Sequence, residues 1–244
     1  MTVQFDPRTG LLRLDGGTFL DLADSAAGHR PCSPERLEAL SHAGVLVDGR
    51  PHSSLGTVLS AVVAPRAQLT LTLASEAGVH VHQGWLACAT GLLVDLGDAT
   101  YELRTVATDD VSGAVMGLAG LEPRPGLASE GAVVAEETLE DLAAPTREAR
   151  RRGAAALVAA ASPDWAAWAA CVAAGLWTFA VVDAFWATRF GSLADRRVAV
   201  LDTPAGVALV DPAEDDLRLV PTTADDVRRL VAGLVPTALE VSGT

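Results

Sequence analysis

A chain of 244 residues with 18 basic and 31 acidic side chains has a formal net charge of −13, and half of its residues are hydrophobic. It is long enough to bury a substantial core and too apolar for disorder. Every basic side chain is Arg, because Lys is absent along with Ile and Asn; this excludes a Gly-x-x-x-x-Gly-Lys phosphate loop and Schiff-base lysine chemistry, and the acidic balance disfavours counterion-driven nucleic-acid binding. The three cysteines, Cys32, Cys88 and Cys171, are far apart and form no Cys-x-x-Cys pair. That spacing fits a reducing cytosol better than a disulfide framework or a zinc knuckle. The first residues lack a basic segment followed by an apolar one, so no signal peptide is read and a cytoplasmic location is expected.

The first 50 residues read as mainly helical. Ser33 is placed to cap a helix with Pro34 at its first position, Leu37, Leu40 and Ala43 follow at helical spacing, and Gly44 ends it. Val47-Asp48-Gly49-Arg50 reads as an extended piece with a tight turn, and residues 54–64 as a second helix stopped by Pro65. Leu69, Leu71 and Leu73 then alternate with Thr70 and Thr72, the period of a half-buried strand. A hairpin over Ser75-Glu76-Ala77-Gly78 returns it, and segments 79–83, 86–90, 92–96 and 100–106 complete a predicted meander. Thr108 is expected to cap the next helix, and Gly113, Gly117 and Gly120 are expected to serve close helix packing, since they do not form the Gly-x-Gly-x-x-Gly of a dinucleotide loop. Residues 124–152, with Pro125, an acidic patch from Glu130 to Asp141 and an Arg cluster, read as the connection between an N-terminal half (1–123) and a C-terminal half (153–244) of one domain. Asp164 is expected to cap a helix reaching Gly175. Strands over 176–190, 197–202, 206–210 and 217–220 follow, with a last helix capped by Thr223. Residues 165–182 carry no charge, yet Asp164 and Asp183 bracket them and Gly175 interrupts them, so a buried helix and then a strand is expected in place of a membrane span.

The chain repeats itself. Leu103-Arg104 to Asp109-Asp110-Val111 has the same order of strand, turn, acidic first helical turn and helix as Leu217-Arg218 to Asp225-Asp226-Val227, and both copies close in Gly-Leu-x-Pro. The expected architecture is therefore α+β: one central antiparallel sheet built by two pseudo-two-fold related halves, flanked by helical subdomains.

Three constellations invite chemistry. His80 and His82 flank Val81 and share a strand face, with Cys88 and Asp95 on later segments, but no clear third metal ligand is in reach, so no metal is expected. Ser53 beside His52 lacks a Gly-x-Ser-x-Gly elbow and reads as cap or loop chemistry. Trp165 and Trp168 stand one turn apart on a helix face that also carries Cys171. Core packing explains them most simply; a partly exposed anchor for an apolar partner, or a self-association face, is the functional alternative.

Val200-Leu201-Asp202-Thr203-Pro204-Ala205-Gly206, followed by Arg218 to Val227, resembles the C-terminal part of the EspG proteins, cytosolic chaperones of actinobacterial type VII (ESX) secretion. The order of Gly44, Val47 to Arg50, a helix, Pro65-Arg66 and a Leu-alternating strand is similar in the N-terminal half. The likeness covers residues 37–234 and departs at Val207, where the family often has Arg. It implies a non-enzymatic chaperone without a cofactor that shields the hydrophobic tip of a helical secreted client, PE/PPE-like or another ESX substrate, until a secretion ATPase takes it. In that family a sheet hairpin and the C-terminal helical subdomain contact the client, which puts Glu76, Ala77, Val79, Trp165 and Trp168 forward as partner-binding residues. A small-ligand-binding or hydrolytic enzyme on the same scaffold is the alternative.

Overall fold

The computed structural model describes residues 3–127, 131–213, 216–237 and 240–241. The chain begins with strands β1 (Gln4–Asp6) and β2 (Leu11–Asp15), helices α1 (Gly16–Ala26) and α2 (Pro34–His42), the small hairpin β3 (Leu46–Val47) and β4 (Arg50–Pro51), and α3 (Gly56–Val63). A meander of β5 (Ala67–Ser75), β6 (Val79–Leu86), β7 (Thr90–Asp95) and β8 (Thr100–Val106) leads into α4 (Val111–Ala119). The second half adds β9 (Val133–Val134), α5 (Glu136–Ala143), α6 (Arg147–Ala160) and α7 (Ala166–Ala173). A second meander, β10 (Thr178–Ala187), β11 (Leu193–Thr203), β12 (Gly206–Ala213) and β13 (Asp216–Thr222), then leads into α8 (Ala224–Leu234).

All the strands but β3 and β4 join one antiparallel sheet in the order β1-β2-β8-β7-β6-β5-β10-β11-β12-β13-β9. The seam is β5 against β10, in register from Ser75↔Thr178 to Ala67↔Trp186. Outward from it, each half runs through its own meander in chain order, and each meander ends in a helix. This is the pseudo-two-fold arrangement that the repeated segment predicts.

On one face α4 and α8 pack together over the seam. Val111, Val115 and Met116 of α4 and Val227, Val231 and Leu234 of α8 share a core with Leu69, Leu71, Ala180, Val182 and Val200. The i, i+4, i+7 spacing in α8 is what gives that helix an apolar stripe. Val207, the departure from the family pattern, lies inside this same core, where an apolar side chain is the one that packs without desolvating a charge. On the opposite face two helical subdomains stand apart. Helices α1 to α3 cover Leu12, Leu93 and Leu103, and the α5–α7 group covers Phe179, Ala199, Leu201 and Leu219.

Several expectations change. The start of the chain is not mainly helical, because β2 pairs with β8 and β1 with β2. Residues 86–90 are not a strand of their own; β6 runs on to Leu86, and Ala87 N–H donates to Ala89 O in a turn. Residues 124–152, expected as a connection, supply β9, paired with β13, the whole of α5 and the start of α6; Glu130 lies outside the described residues. The two repeats align through Asp-Asp-Val, so that Ala107 and Thr223 hold equivalent N-cap positions. Thr223 accepts from Asp226 N–H, whereas Thr108 sits inside a 3-10 turn and caps nothing. Ser162, and not Asp164, caps the turn before α7. Gly113 and Gly117 are exposed, with nothing within 4 Å of an added Cβ, so close packing does not explain them. Gly120, at φ +64°, is the left-handed cap of α4, while Gly233 lies within α8. The uncharged run 165–182 is split between α7 and β10, and among the described residues no helix is long and apolar enough to cross a membrane.

Candidate functional site

The β5–β6 hairpin closes with Ser75 N–H donating to Gly78 O at 2.9 Å. Its tip is held against α6. Glu76 Oε1 accepts from Arg147 Nη2 at 2.7 Å and from Arg151 Nε and Nη2 at 3.1 and 2.8 Å. The hydrogen bonds from Arg151, then from Arg147, hold the Glu76 carboxyl below the usual carboxylate range. Arg150 is buried between the two elements; it donates to Ala144 O and Pro145 O at 2.9 and 2.8 Å, and to Glu76 O at 3.3 Å. Arg152 pairs with Asp141 of α5. Four arginines in the first half of a helix oppose its dipole. The carboxylates of Glu76 and Asp141 offset that, and in doing so tie the hairpin and α5 to α6.

Behind Glu76 a cleft of about 440 Å³ opens between α6 and α7. Small side chains make it: Ala154 and Ala155 on α6 face Ala173, Ala174 and Gly175, with Val158, Val172 and Trp177 as apolar floor and Glu76 and Arg151 as polar rim. Gly175 has φ +73°, the left-handed conformation that ends α7, and a Cβ there would be driven into the Glu76 carboxylate. A glycine is thus required twice over, by its backbone and by what leans on it. An open, small-residue cleft with a charged rim suits an apolar side chain offered by a protein partner better than an enclosed metabolite.

Of the residues proposed from the sequence, Glu76 forms the rim, Ala77 is exposed at the tip, and Val79 packs on the edge of the adjoining core. Trp165 and Trp168 are corrected. They are 1% and 0% exposed, stacked edge to face at 5.2 Å between ring centres, in a core with Leu142, Leu157, Trp177 and Phe179. They support the cleft from beneath and reach no surface, so neither is an exposed anchor or a self-association face. Cys171 is half-buried on the same helix. Arg147, Arg150 and Arg151 are the site residues that sequence reasoning missed. The signal was present, since an Arg-rich helix start needs a carboxylate from elsewhere in the fold.

The remaining candidates settle into structural roles. His82 is buried, and its Nδ1 accepts from Asp95 N–H at 3.0 Å, while His80 Nδ1 lies 3.3 Å from Asp95 Oδ2. Cys88 sits exposed in the β6–β7 turn, and among the described residues no cluster of three metal-ligating side chains forms. His52 caps Ser54 N–H and meets the Ser54 hydroxyl at 2.9 Å, so its partner is not Ser53. The Asp-Thr-Pro-x-Gly segment builds the β11–β12 turn. Thr203 Oγ1 donates to Gly206 O at 3.1 Å and accepts from Ala205 N–H. Asp202 takes a two-pronged hydrogen bond from Arg124 at 3.1 and 3.0 Å, which fastens the segment after α4 across β11.

No protein-family model matches the chain, and no curated protein matches it. Among solved structures, the chain is similar to the Mycobacterium tuberculosis type VII secretion system chaperone EspG5, solved in complex with the PE25–PPE41 dimer. The TM-score is 0.64 at 14% sequence identity, over 95% of this chain and 100% of that one. The chain therefore has an EspG-like fold. At that identity the likeness is one of architecture.

Proposed function

We propose that the protein is a non-enzymatic secretion chaperone. It would bind the hydrophobic tip of a helical type VII secretion substrate in the cleft between the β5–β6 hairpin and helices α6 and α7. The observation that carries this reading is the fold likeness to a chaperone solved in complex with the PE25–PPE41 dimer, over nearly the whole chain. The clasp supports it: Glu76 and the α6 arginines set a polar rim around an apolar cleft, the arrangement that seats one apolar anchor and excludes water around it. On this reading the protein is cytoplasmic and is one domain of two halves. Glu76, Ala77 and Val79 touch the client. Binding acts by mass action, keeping the client's apolar end out of water until the secretion machinery removes it.

The test is a tagged pull-down from the native host, repeated with Ala155→Arg and Ala173→Arg. Both residues are exposed and line the cleft, so the variants fold while the cleft fills. A small helical protein that co-elutes stoichiometrically and is lost with either variant supports the reading. Retention of that protein by both variants, or a chain that elutes alone, overturns it.

A further inference from the structure

Strand β11 is paired along its whole length on one side and only at its far end on the other. β10 runs beside it from Ala187↔Leu193 to Thr178↔Asp202, whereas β12 pairs with it only from Val200↔Leu209 to Thr203↔Gly206. Continued in the same register, Pro212 would stand opposite Arg197, and a proline has no N–H to give the ladder. The β10–β11 turn shows which way the free groups point. Thr188 N–H donates to Ser192 O at 2.8 Å, so the even-numbered residues of β11 turn their backbone groups towards β10 and the odd-numbered ones turn theirs outward. Leu193, Asp195 and Arg197 therefore present N–H and C=O groups on an open edge, and among the described residues none of these groups has a backbone partner on that side.

The two ends of this edge are apolar and of complementary shape. Leu193 and, in the turn beside it, Phe190 are 87% and 82% exposed, the highest values among the large hydrophobic side chains described. At the other end Ala199 borders a hollow of about 440 Å³, lined also by Val181, Val210, Pro212 and Leu217, where β12 parts from β11. Leu193 and Ala199 are an even number of residues apart, so their side chains share a face. Between these ends lie Asp195, Arg196 and Arg197. Charges on an edge strand ordinarily prevent pairing, but these match themselves. A second copy of β11 laid antiparallel, with the two-fold axis at Arg196, sets Asp195 opposite Arg197 of the second copy and Leu193 opposite its Ala199. Both members of each pair have outward backbone groups, so they form hydrogen-bonded pairs. Moving the axis to Asp195 or Arg197 would instead set like charges against each other. The side chains are free for the favoured register. Asp195 has no ion pair among the described residues, and Arg197 uses only its Nε, on Asp183 at 2.6 Å. Arg196 is drawn back from the axis: it donates to Gly233 O at 2.9 Å, pairs with Glu240 and lies 5.0 Å over the Trp186 ring.

We infer that the chain forms a two-fold dimer by pairing the open edge of β11 with that of a second copy. Two Asp195–Arg197 ion pairs fix the register, and Leu193 of each copy sits at the mouth of the other's hollow. The interface shares no lining residue with the α6–α7 cleft, so it stands or falls apart from the client reading.

The test is sedimentation velocity on the full chain, from about 1 to about 200 µM, with folding of each variant checked by far-ultraviolet circular dichroism. The parent shows a concentration-dependent dimer. Leu193→Ser weakens it about tenfold, while Leu20→Ser, the same change at an exposed site on α1, keeps it within about twofold. Asp195→Pro removes an N–H that only the dimer uses and weakens it about tenfold or more. Asp195→Arg and Arg197→Glu are each monomeric alone, and an equal mixture of the two dimerises, because both cross-strand pairs then have opposite signs again. A parent that stays monomeric throughout, a dimer unaffected by Leu193→Ser or Asp195→Pro, or a mixture of folded charge variants that stays monomeric overturns the inference. Should Arg197→Glu fail to fold, Leu193→Ser and Asp195→Pro decide it.

Discussion

Replacing Trp168 separates a core role from a binding role. The side chain is fully buried, it stacks on Trp165, and its Nε1–H has no hydrogen-bond partner among the described residues. Two substitutions pull in different directions. Trp168→Ala removes the whole indole from a close-packed site, and deletions of this kind cost about 3–5 kcal/mol. Trp168→Phe gives up part of the packing but also removes an unsatisfied buried donor, whose desolvation costs about 1–3 kcal/mol. The two terms offset, so Trp168→Phe is expected within about 1.5 kcal/mol of the parent. A typical domain has about 5–15 kcal/mol in total, so Trp168→Ala leaves a marginal protein. Urea unfolding followed by far-ultraviolet circular dichroism measures both without relying on tryptophan emission. A loss below about 1 kcal/mol for Trp168→Ala, or equal losses for the two variants, refutes the packing argument. A binding defect in Trp168→Ala alone then reports a damaged floor under the cleft, whereas a defect in the stable Trp168→Phe would need a different explanation.

Gly175→Ala strains a left-handed position at a cost of about 1–3 kcal/mol and also displaces Glu76. In a Glu76→Ala background the displacement has no object, so the loss is expected to be smaller there, and equal losses in a double-mutant cycle by urea unfolding would count against the contact. Arg150→Ala removes a buried guanidinium that holds Ala144 O, Pro145 O and Glu76 O. A loss of about 2–3 kcal/mol is expected, together with faster amide exchange in the β5–β6 hairpin, and hairpin exchange left unchanged would argue against the tie. Burial pushes the His82 imidazole below its ordinary value, the nearby Asp95 opposing this only in part. The unfolded chain therefore takes up a proton near pH 6.5 before the folded one does. Stability then falls as pH drops from that point towards the folded value, by up to about 1.4 kcal/mol per pH unit. His82→Leu is expected to be less stable at pH 8, having lost the acceptor for Asp95 N–H, but to show a shallower decline between pH 7 and 5 in thermal unfolding; an unchanged slope assigns the acid sensitivity elsewhere.

The parts of the fold legible in the sequence are those where one local signal stands alone. The Leu69–Leu71–Leu73 alternation, the Asp48–Gly49 turn with φ of 51° and 73°, and the Thr223 cap with Val227, Val231 and Leu234 behind it each appear as the residues imply. What was missed depends on partners distant in sequence. The β2 strand, five residues ending against Gly16-Gly17, is a strand because β8 lies beside it, and β9 is two residues that only β13 makes into an edge. Trp165 and Trp168 share a face whether that face meets solvent or core, and helical spacing alone cannot say which.

The repeat shows how local and distant signals combine. Each copy alone is a strand followed by a capped helix, a unit too common to identify anything. Two copies at matched spacing imply something further, because each half-sheet ends in an open strand, β5 in one and β10 in the other. Pairing the two edges buries both along the full seam, and it also brings α4 and α8 side by side over the same core. That closure accounts for one face of the sheet. On the other face the α5–α7 group reaches onto the seam strands themselves, over Ala74 of β5 and Phe179 and Val181 of β10, while the α1–α3 group covers Leu93 and Leu103 of β7 and β8. The symmetry that completes the core on one face therefore does not extend to the other, where the C-terminal helices cover the seam and the N-terminal helices stop short of it.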